Sequence, residues 1–460
     1  VAHTDSAMAG PGAGDDQHAV AILVELAREL ASSGRRPHNS VIFLFTDGEE
    51  EGLLGASSFV QRDPRAARVA AAVNLEARGN AGISMLFQTL GEDAWLIDAY
   101  ASQARRPYCS SMAQAVYEMM PHYTDLSALH AFGIPGVDFA FIDGESAYHS
   151  PLDTVDALDR GSLQSQGDNA RAMLLALESA DLRSPKRGYA SWFDVLGLFV
   201  VRVPRGVVFP FAGLLAMIVS FSIWRARRRG ELRARDVLGA FGLVLGVLIA
   251  CGLLARGLLA AGTAVKGDPR LGVAHPYPLF VALLLLPGPA YLLAARVPLD
   301  ELALRWGTRF FLALVSLPVA LMAPGAAYLF LVPASIWLIS ELVARDDTSP
   351  APQLIAGSLS LIVWLPVLHG LRLALGNGPA LSVCACLTSL PFWILLREAP
   401  PRAPLLAGLV TLTLATIGLA LPTHDADHPK RQWLSAVTDG EGNDWLSTWR
   451  AEGSLATSAD

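Results

Sequence analysis

The residues of this chain best suited to chemistry are histidines and carboxylates in short motifs between positions 3 and 154. No single motif is diagnostic, because an aspartate ahead of a helix, for example, is a common N-cap. Together they place imidazoles and many carboxylates in one part of the chain. The motifs are His3-Thr4-Asp5, Gly14-Asp15-Asp16, Gly48-Glu49-Glu50-Glu51-Gly52, Asn74-Leu75-Glu76 and Tyr148-His149, with Asp153 shortly after.

The chemistry that these residue types support is metal-dependent hydrolysis. Carboxylates crowded at one edge of a sheet repel one another unless a cation lies among them. Zinc binds imidazole nitrogen and carboxylate oxygen, and a catalytic zinc leaves one coordination position for water. Two such ions, about 3.5–4 Å apart, share a carboxylate and hold a hydroxide between them. A further carboxylate that binds no metal must move the proton from water to the leaving amine.

Residues 1–188 have the pattern of an α/β domain that could position these motifs. Runs rich in β-forming residues at 41–45, 69–75 and 134–141 alternate with helical periodicity. The apolar residues of the first helix recur at Val20, Leu23, Leu26 and Leu30. This alternation predicts a sheet with helices on both faces.

The second half of the chain predicts an all-α, multi-pass transmembrane domain. The chain is 52% hydrophobic and 17% charged, with a mean hydropathy of +0.40, which is too apolar for a wholly soluble protein. About eight segments approach the ~20 residues needed to cross a bilayer. The 310–323 and 326–342 segments are also compatible with a re-entrant hairpin or one kinked helix. The segments are 207–224, 237–254, 278–295, 310–323, 326–342, 354–371, 380–396 and 405–421.

Arginines indicate which loops face the cytoplasm. They cluster in the first loop, at Arg225 and Arg227 to Arg229, and recur in the other odd-numbered loops. The N-terminal α/β domain is therefore expected on the non-cytoplasmic side, in a periplasm, exterior or organelle lumen. Glu341, His369 and Arg372 lie near segment ends and are expected to snorkel, with no paired charges at mid-membrane depth.

These patterns divide the chain into four parts. The chain begins with Val1 rather than Met, so we expect the N-terminal domain, with its candidate zinc ligands, to be truncated at its N-terminus. The parts are this α/β domain at 1–188, an interfacial linker at 189–206, a transmembrane domain at 207–421 and a polar C-terminal segment at 422–460 on the same side as the α/β domain.

Composition also bounds the partners. The formal net charge is −7 and no basic stripe is interleaved with aromatic residues, so nucleic acid is not an expected partner. Cys109 is the one cysteine in the first 188 residues, so no disulfide framework is expected there. Peptide substrate and the lipid bilayer are the expected partners, and the oligomeric state is left open.

As an ordered set, the motifs resemble those of the co-catalytic zinc aminopeptidases. Joined to many membrane helices, the pattern is similar to the endoplasmic reticulum metallopeptidase and vacuolar membrane protease branch and its bacterial relatives. The segment from Trp192 to Phe199 before the first helix is also similar to that branch. The resemblance implies a zinc-peptidase α/β/α sandwich with a mixed sheet and a site for two Zn²⁺ ions.

The resemblance also implies a role for each site residue. Asp15 would bridge both ions, with His3 and Glu76 completing one ligand set and Glu50 and His149 the other. Glu49 would be the general base and Tyr148 would stabilise the oxyanion. Three acids would support the ligands from behind, with Asp5 orienting His3; these acids are Asp5, Asp125 and Asp153. The Asp15-Asp16 peptide bond would be cis.

Two positions depart from the family pattern. Glu76 stands where soluble members usually have aspartate, so aminopeptidase specificity does not transfer directly. His18 stands where small residues are common, and we expect it to be exposed at the start of a helix.

The predicted function is therefore a membrane-anchored, zinc-dependent exopeptidase, aminopeptidase-like, in which Glu49 activates the water held between the ions. Two other readings remain open. One is a non-catalytic interaction or scaffold protein on a peptidase fold. The other is a single-zinc acyltransferase similar to glutaminyl cyclases.

Overall fold

Parallel strands bring the acidic motifs to one edge of a sheet. In the computed structural model the described residues are 1–8, 10–91, 94–120, 122–182, 188–343, 351–430, 434–438 and 444–448. The strands of the N-terminal domain are β1 (Ala2–His3), β2 (Phe45–Thr46), β3 (Ala72–Ala77), β4 (Met85–Leu90) and β5 (Gly136–Phe141). β1 pairs with β2 and β3 with β5 in parallel, whereas β4 runs antiparallel to β5.

The short strand β1 joins the two halves of this sheet. The Val1 amine donates to the carbonyl of Val73 (2.7 Å), and the Leu75 N–H donates to the carbonyl of Val1 (3.2 Å). In a parallel ladder, one residue bonds to the two residues on either side of the residue opposite it. Val1 bonds in this way to Val73 and Leu75. β1, β2, β3 and β5 therefore end at the same edge, where His3 and Glu76 lie.

Helices cover both faces of the sheet. The helices are α1 (His18–Ser32), α2 (Leu54–Arg62), α3 (Ala94–Gln103), α4 (Ser111–Tyr117), α5 (Asp125–Ala131) and α6 (Arg160–Leu177). Leu75 of β3 and Phe139 of β5 are fully buried in one apolar cluster with residues of α1, α3 and α6, and α1 contributes the predicted periodic residues Leu23 and Leu26. Residue 72 projects to the opposite face from residue 75 and packs under α2 and α5, against Leu126. The predicted α/β/α sandwich with a mixed sheet is confirmed.

The expected interfacial linker forms a β-hairpin. β6 (Tyr189–Val195) and β7 (Phe199–Pro204) are antiparallel, and Leu196 and Gly197 at the turn have positive φ angles. The Cys109 N–H donates to Asp194 of β6 (3.0 Å), so the hairpin packs on the N-terminal domain. The boundaries of the four parts stay a prediction.

A helical bundle follows the hairpin. Seven spans are long and apolar enough to cross a membrane, and a shorter apolar helix, Pro379–Trp393, accompanies them in the described part of the chain. The 310–323 and 326–342 segments belong to two separate spans. The helices are α7 (Arg205–Arg228), α8 (Ala234–Lys266), α9 (Pro276–Leu285), α10 (Pro287–Ala294), α11 (Glu301–Met322), α12 (Tyr328–Val343), α13 (Ala351–Leu375), α14 (Pro379–Ser389) and α15 (Ala403–Ala420).

The bundle is built as a membrane domain is expected to be. Large apolar side chains stay exposed on its outer surface, including Met217, Leu253 and Leu405 at about two-thirds exposure each. A contiguous apolar surface of this kind is rare on soluble proteins. Of the polar segment 422–460, residues 434–438 and 444–448 form a hairpin of strands β8 and β9, and most of the remainder lies outside the described residues.

One side of the bundle contacts the N-terminal domain. The Ser111 hydroxyl donates to the Gly325 carbonyl between α11 and α12 (2.7 Å), and Arg78 donates to the Ala374 carbonyl at the end of α13 (3.3 Å). Phe193 of β6 stacks on Tyr328, with ring centroids 4.2 Å apart. The two domains therefore share a packed interface.

A buried ion pair in the bundle contradicts the expectation that Glu341 snorkels. Arg309 of α11 and Glu341 of α12 lie 2.6 Å apart, with side chains 3% and 9% exposed. Arg309 also donates to the Trp337 carbonyl (3.1 Å). The expectation was wrong because hydropathy along one segment does not show which charge on a neighbouring helix can compensate it.

We expect the substitution Gly325→Ala to weaken the interface between the domains. A Cβ at Gly325 would lie 2.8 Å from the Ser111 carbonyl oxygen, so the backbone must shift, at a cost of about 1–3 kcal/mol. The midpoint of thermal unfolding in detergent should fall. Gly246→Ala on α8 is the control, because a Cβ there meets nothing within 4 Å, and equal midpoints for the two variants would contradict the contact.

Candidate metal centre

The first group of candidate ligands forms where β1 and β3 end. His3 Nε2 lies 3.2 Å from Asp15 Oδ1 and 4.0 Å from Glu76 Oε2. His3 Nδ1 lies 3.0 Å from the carbonyl oxygen of Asp5. Because a carbonyl only accepts a hydrogen bond, Nδ1 carries the proton, and Nε2 is free to face a cation.

The second group uses the other oxygen of Asp15. His149 Nε2 lies 3.0 Å from Asp15 Oδ2 and 2.8 Å from Glu50 Oε1. In each group the three possible ligand atoms lie within 4.8 Å of one another. Atoms bonded to one zinc at ~2.0–2.2 Å are necessarily this close, so the donor types and spacings fit a cation in each group. Asp15 is the residue common to both.

The turn that carries Asp15 is held by Asp153. The N–H groups of Gly14 and Asp15 donate to the two carboxylate oxygens of Asp153, at 2.6 and 3.0 Å. Gly14 has no space for a side chain, since a Cβ there would lie 2.4 Å from the Gly79 carbonyl oxygen. The Asp15-Asp16 peptide bond is cis, which confirms the prediction. Asp153 therefore positions the Asp15 carboxylate by holding the backbone of Gly14 and Asp15.

Asp5 acts on the acidic loop rather than on His3 alone. Its carboxylate oxygens accept hydrogen bonds from the N–H groups of Glu49 and Glu50, each at 3.1 Å. The carboxylate is 3.4 Å from His3 Nδ1, farther than the Asp5 carbonyl. The sequence predicted the contact between Asp5 and His3. It did not predict the hydrogen bonds from the Glu49 and Glu50 N–H groups to Asp5, because these depend on how the 49–50 loop folds back onto β1.

Electrostatics at the centre favour positive charge. Burial opposes protonation of His3, but its hydrogen bond with Asp15 and the charge of Asp16 raise its pKa to about 11. Burial likewise opposes protonation of His149, and its hydrogen bonds with Asp15 and Glu50 raise its pKa to about 9. The carboxylates around these two imidazoles stabilise their protonated, positively charged form. The same negative potential would stabilise a divalent cation.

Glu49 has no ligand-like contact with these groups and lines the adjoining cavity. Burial raises the pKa of Glu49 to about 8, with the nearby His3 opposing the shift and Asp125 adding to it. A carboxylate whose pKa lies near neutrality can both accept and release a proton at physiological pH. Its neighbour Glu51 is exposed.

Tyr148 and Asp125 lie beside the ligand groups. The Tyr148 ring stacks on the His149 ring, with centroids 3.7 Å apart, and lines the cavity. Burial raises the pKa of Tyr148, so its hydroxyl keeps its proton. Asp125 is buried and accepts a hydrogen bond from the Thr46 hydroxyl at the end of β2.

Sequence reasoning missed a buried network behind Glu76. Asn74 donates to Glu76 Oε1 (3.1 Å) and to Asp138 Oδ1 (3.3 Å), and the Thr124 hydroxyl donates to Asp138 Oδ2 (2.6 Å). Burial raises the pKa of Asp138 to about 7. The available signal was one aspartate within the apolar run 134–141, which is costly to bury without partners.

The expectation for His18 was wrong. It is 2% exposed, its Nδ1 lies 2.6 Å from the Gly14 carbonyl, and its ring packs on Phe141. Helix α1 begins beneath the edge of the sheet, and the sequence alone does not show that its first residue is buried. His18 belongs to neither ligand group.

A cavity of about 540 Å³ opens from the centre. Glu49, Glu50, Glu76 and Tyr148 lie at one end, and His122 also lines it. The membrane helices α12 and α13 contribute part of its wall, through Tyr328 and residues 362–374. The centre is therefore at the junction of the two domains.

Comparison with known proteins identifies the N-terminal part of the chain, since residues 1–174 match Peptidase family M28. These residues form an M28 domain. The resemblance predicted from the ordered motifs is confirmed, and with it the metallopeptidase class of the domain.

Two relatives of the M28 domain have names that refer to a membrane compartment. The chain is 39% identical to the Homo sapiens "Endoplasmic reticulum metallopeptidase 1" over 212 residues, covering 45% of this chain and 24% of that protein. It is 30% identical to the Candida glabrata "Vacuolar membrane protease" over 220 residues, covering 47% and 23%. The chain thus spans about a quarter of the length of these relatives.

One solved structure is also similar. The aminopeptidase from Aneurinibacillus sp. strain AM-1 shares 24% identity and a TM-score of 0.32, covering 38% of this chain and 42% of that chain.

We expect Asp5→Ala to weaken zinc binding without removing a ligand. The two N–H groups that hold the Glu49–Glu50 backbone lose their acceptor, and loss of such supporting contacts typically costs about 10–100-fold in metal affinity. Zinc retained at graded chelator concentrations measures the effect. Asp63→Ala is the matched control, because Asp63 pairs with Arg65 beyond helix α2. Unchanged zinc affinity in Asp5→Ala would show that the loop holds its position alone.

Proposed function

We propose that this protein is a membrane-anchored, zinc-dependent exopeptidase of aminopeptidase type. The observation that carries the proposal is the position of Asp15, whose two oxygens face His3 and Glu76 on one side and Glu50 and His149 on the other. A carboxylate shared in this way suits two ions a few ångströms apart. The match to Peptidase family M28 supports the same conclusion.

The protein's own groups can perform the proton transfers of peptide hydrolysis. When bound, two zinc ions would polarise the substrate carbonyl and make a water molecule a stronger acid. Glu49 would accept the proton of the attacking water and pass it to the leaving amine. Tyr148 keeps its hydroxyl proton and would donate a hydrogen bond to the oxyanion that forms on the carbonyl carbon.

The cavity supports cleavage at the end of a peptide. Its volume of about 540 Å³ lies in the range of sites that enclose small ligands. It would hold the terminal residues of a chain, and both domains contribute to its wall.

We also propose that the M28 domain faces the non-cytoplasmic side. The arginines at the α7–α8 turn follow a span that begins at the M28 domain and ends on the opposite side of the bundle. Arg296 and Arg397 lie at that opposite side too, where they donate to the carbonyls of Ala399 and Leu299. A surplus of arginine marks cytoplasmic loops.

We expect Glu49→Gln to abolish hydrolysis while zinc stays bound. The amide cannot accept the water proton, and loss of a general base typically costs about 10²–10⁴-fold in rate. Peptide cleavage and zinc content of the purified full chain are measured together, and His3→Ala provides the contrast by losing zinc. Full activity of Glu49→Gln would refute the mechanism. A wild type without zinc would favour a scaffold, and ammonia release from an N-terminal glutamine peptide would favour a cyclase.

Thiol labelling tests the orientation. Ser33→Cys on the M28 domain and Glu231→Cys between α7 and α8 are both exposed, whereas the native cysteines are buried. A membrane-impermeant maleimide applied to intact cells should label Ser33→Cys, and it should label Glu231→Cys only after permeabilisation. The reverse pattern would place the M28 domain in the cytoplasm.

A further inference from the structure

We propose that α13 of the membrane domain forms the specificity wall of the substrate cavity and selects peptides with a large apolar side chain next to the scissile bond. This inference rests on the proposed peptidase function and names the substrate class of the same site. It assigns to a membrane helix a role beyond anchoring.

One face of α13 lines the cavity. Val363, Val367, Gly370 and Ala374 follow one another at helical spacing and border the same space as Glu49. Leu365 on the other side of the helix is 55% exposed at the outside of the bundle. The helix thus presents one apolar face to the substrate and another to lipid.

The M28 domain and the β6–β7 hairpin that follows it supply the facing wall, and that wall is apolar too. Phe87 of β4, Met112 and Val116 of α4, and Phe193 of β6 border the cavity. An apolar side chain that enters between the two walls leaves water for apolar surroundings, which is favourable at roughly 25 cal/mol per Å². A larger apolar side chain should therefore bind more favourably in this cavity than a smaller one.

The charges that line the cavity beyond the candidate metal centre are already engaged. Among the described residues these are Arg78, which bonds to Glu145 (2.9 Å) and to the Ala374 carbonyl, and Asp194, which accepts from the N–H of Cys109 (3.0 Å). A lysine or glutamate side chain of a substrate would lose its hydration between the walls, where Asp194 and Arg78 already bond to groups of the protein. Charged side chains are disfavoured for this reason.

Contacts between the domains hold α13 at this distance. Arg78 is bonded to the last turn of α13, and Phe193 stacks on Tyr328 at the start of α12. Phe193, which lines the facing wall, thus also contacts the membrane helices. A fixed gap of this kind discriminates side chains by size.

Gly370 offers a direct test because a Cβ there meets nothing within 4 Å. Gly370→Leu should fill the gap without a backbone clash. The assay uses the zinc-loaded full chain and unblocked pentapeptides that differ only in their first residue, which is Phe, Leu, Ala or Lys. The wild type should prefer Phe and Leu over Lys by roughly 10–200-fold in kcat/KM, the range a hydrophobic pocket achieves.

Gly370→Leu should lose about ten-fold or more on the Phe and Leu peptides and keep its rate on the Ala peptide. Gly246→Leu on the exposed face of α8 is the matched control, since a Cβ there also meets nothing within 4 Å, and it should keep the wild-type preference. Leu371→Ala enlarges the same wall and should shift the preference toward a Trp peptide. An equal loss on all peptides, at an unchanged unfolding midpoint, would overturn the proposal.

A binding measurement separates this inference from the proposed function. The Kd of the Phe and Lys peptides for the Glu49→Gln variant reports selectivity without chemistry. If the wild type binds the Phe peptide selectively but hydrolyses no peptide, the proposed peptidase function is refuted and the proposed specificity wall stands. Hydrolysis without a preference for apolar residues, together with equal Kd values, would refute the wall and retain the peptidase.

Discussion

The repulsion among buried carboxylates at one sheet edge is the constraint on which the structure of this protein depends. Asp15, Glu50 and Glu76 lie close together, and Glu49 stands beside them. Such a group is stable only with compensating positive charge, which the raised pKa values of the two histidines already indicate. The surrounding backbone is arranged to keep the carboxylates in place in spite of that repulsion.

That arrangement relies on hydrogen bonds behind the centre. Asp153 holds the turn of Asp15, Asp5 holds the 49–50 loop, and Asn74 links Glu76 to Asp138. Each candidate ligand comes from a different part of the chain, so no local segment could orient the set. Parallel pairing of β1, β2 and β3 supplies the common edge, and the acceptor side chains then define direction and distance.

The membrane domain is part of the site rather than a separate anchor. The turn between α11 and α12 packs on α4 and β6, and the end of α13 is bonded to Arg78, two residues after Glu76. The cavity consequently has one wall from each domain. Any movement between the domains would change the space beside Glu49, so the shape of the cavity depends on how the two domains pack.

The sequence by itself determined the features that depend on residue type and local pattern. Histidines and carboxylates in an ordered set indicated a zinc hydrolase, and apolar runs indicated membrane spans, because ligand chemistry and hydropathy are properties of individual residues and short segments. Only the tertiary structure decided that His18 is buried, that Arg309 pairs with Glu341, that Asp5 holds the acidic loop and that α13 borders the cavity. These features join residues far apart in the chain, and long-range packing has no counterpart in local sequence patterns.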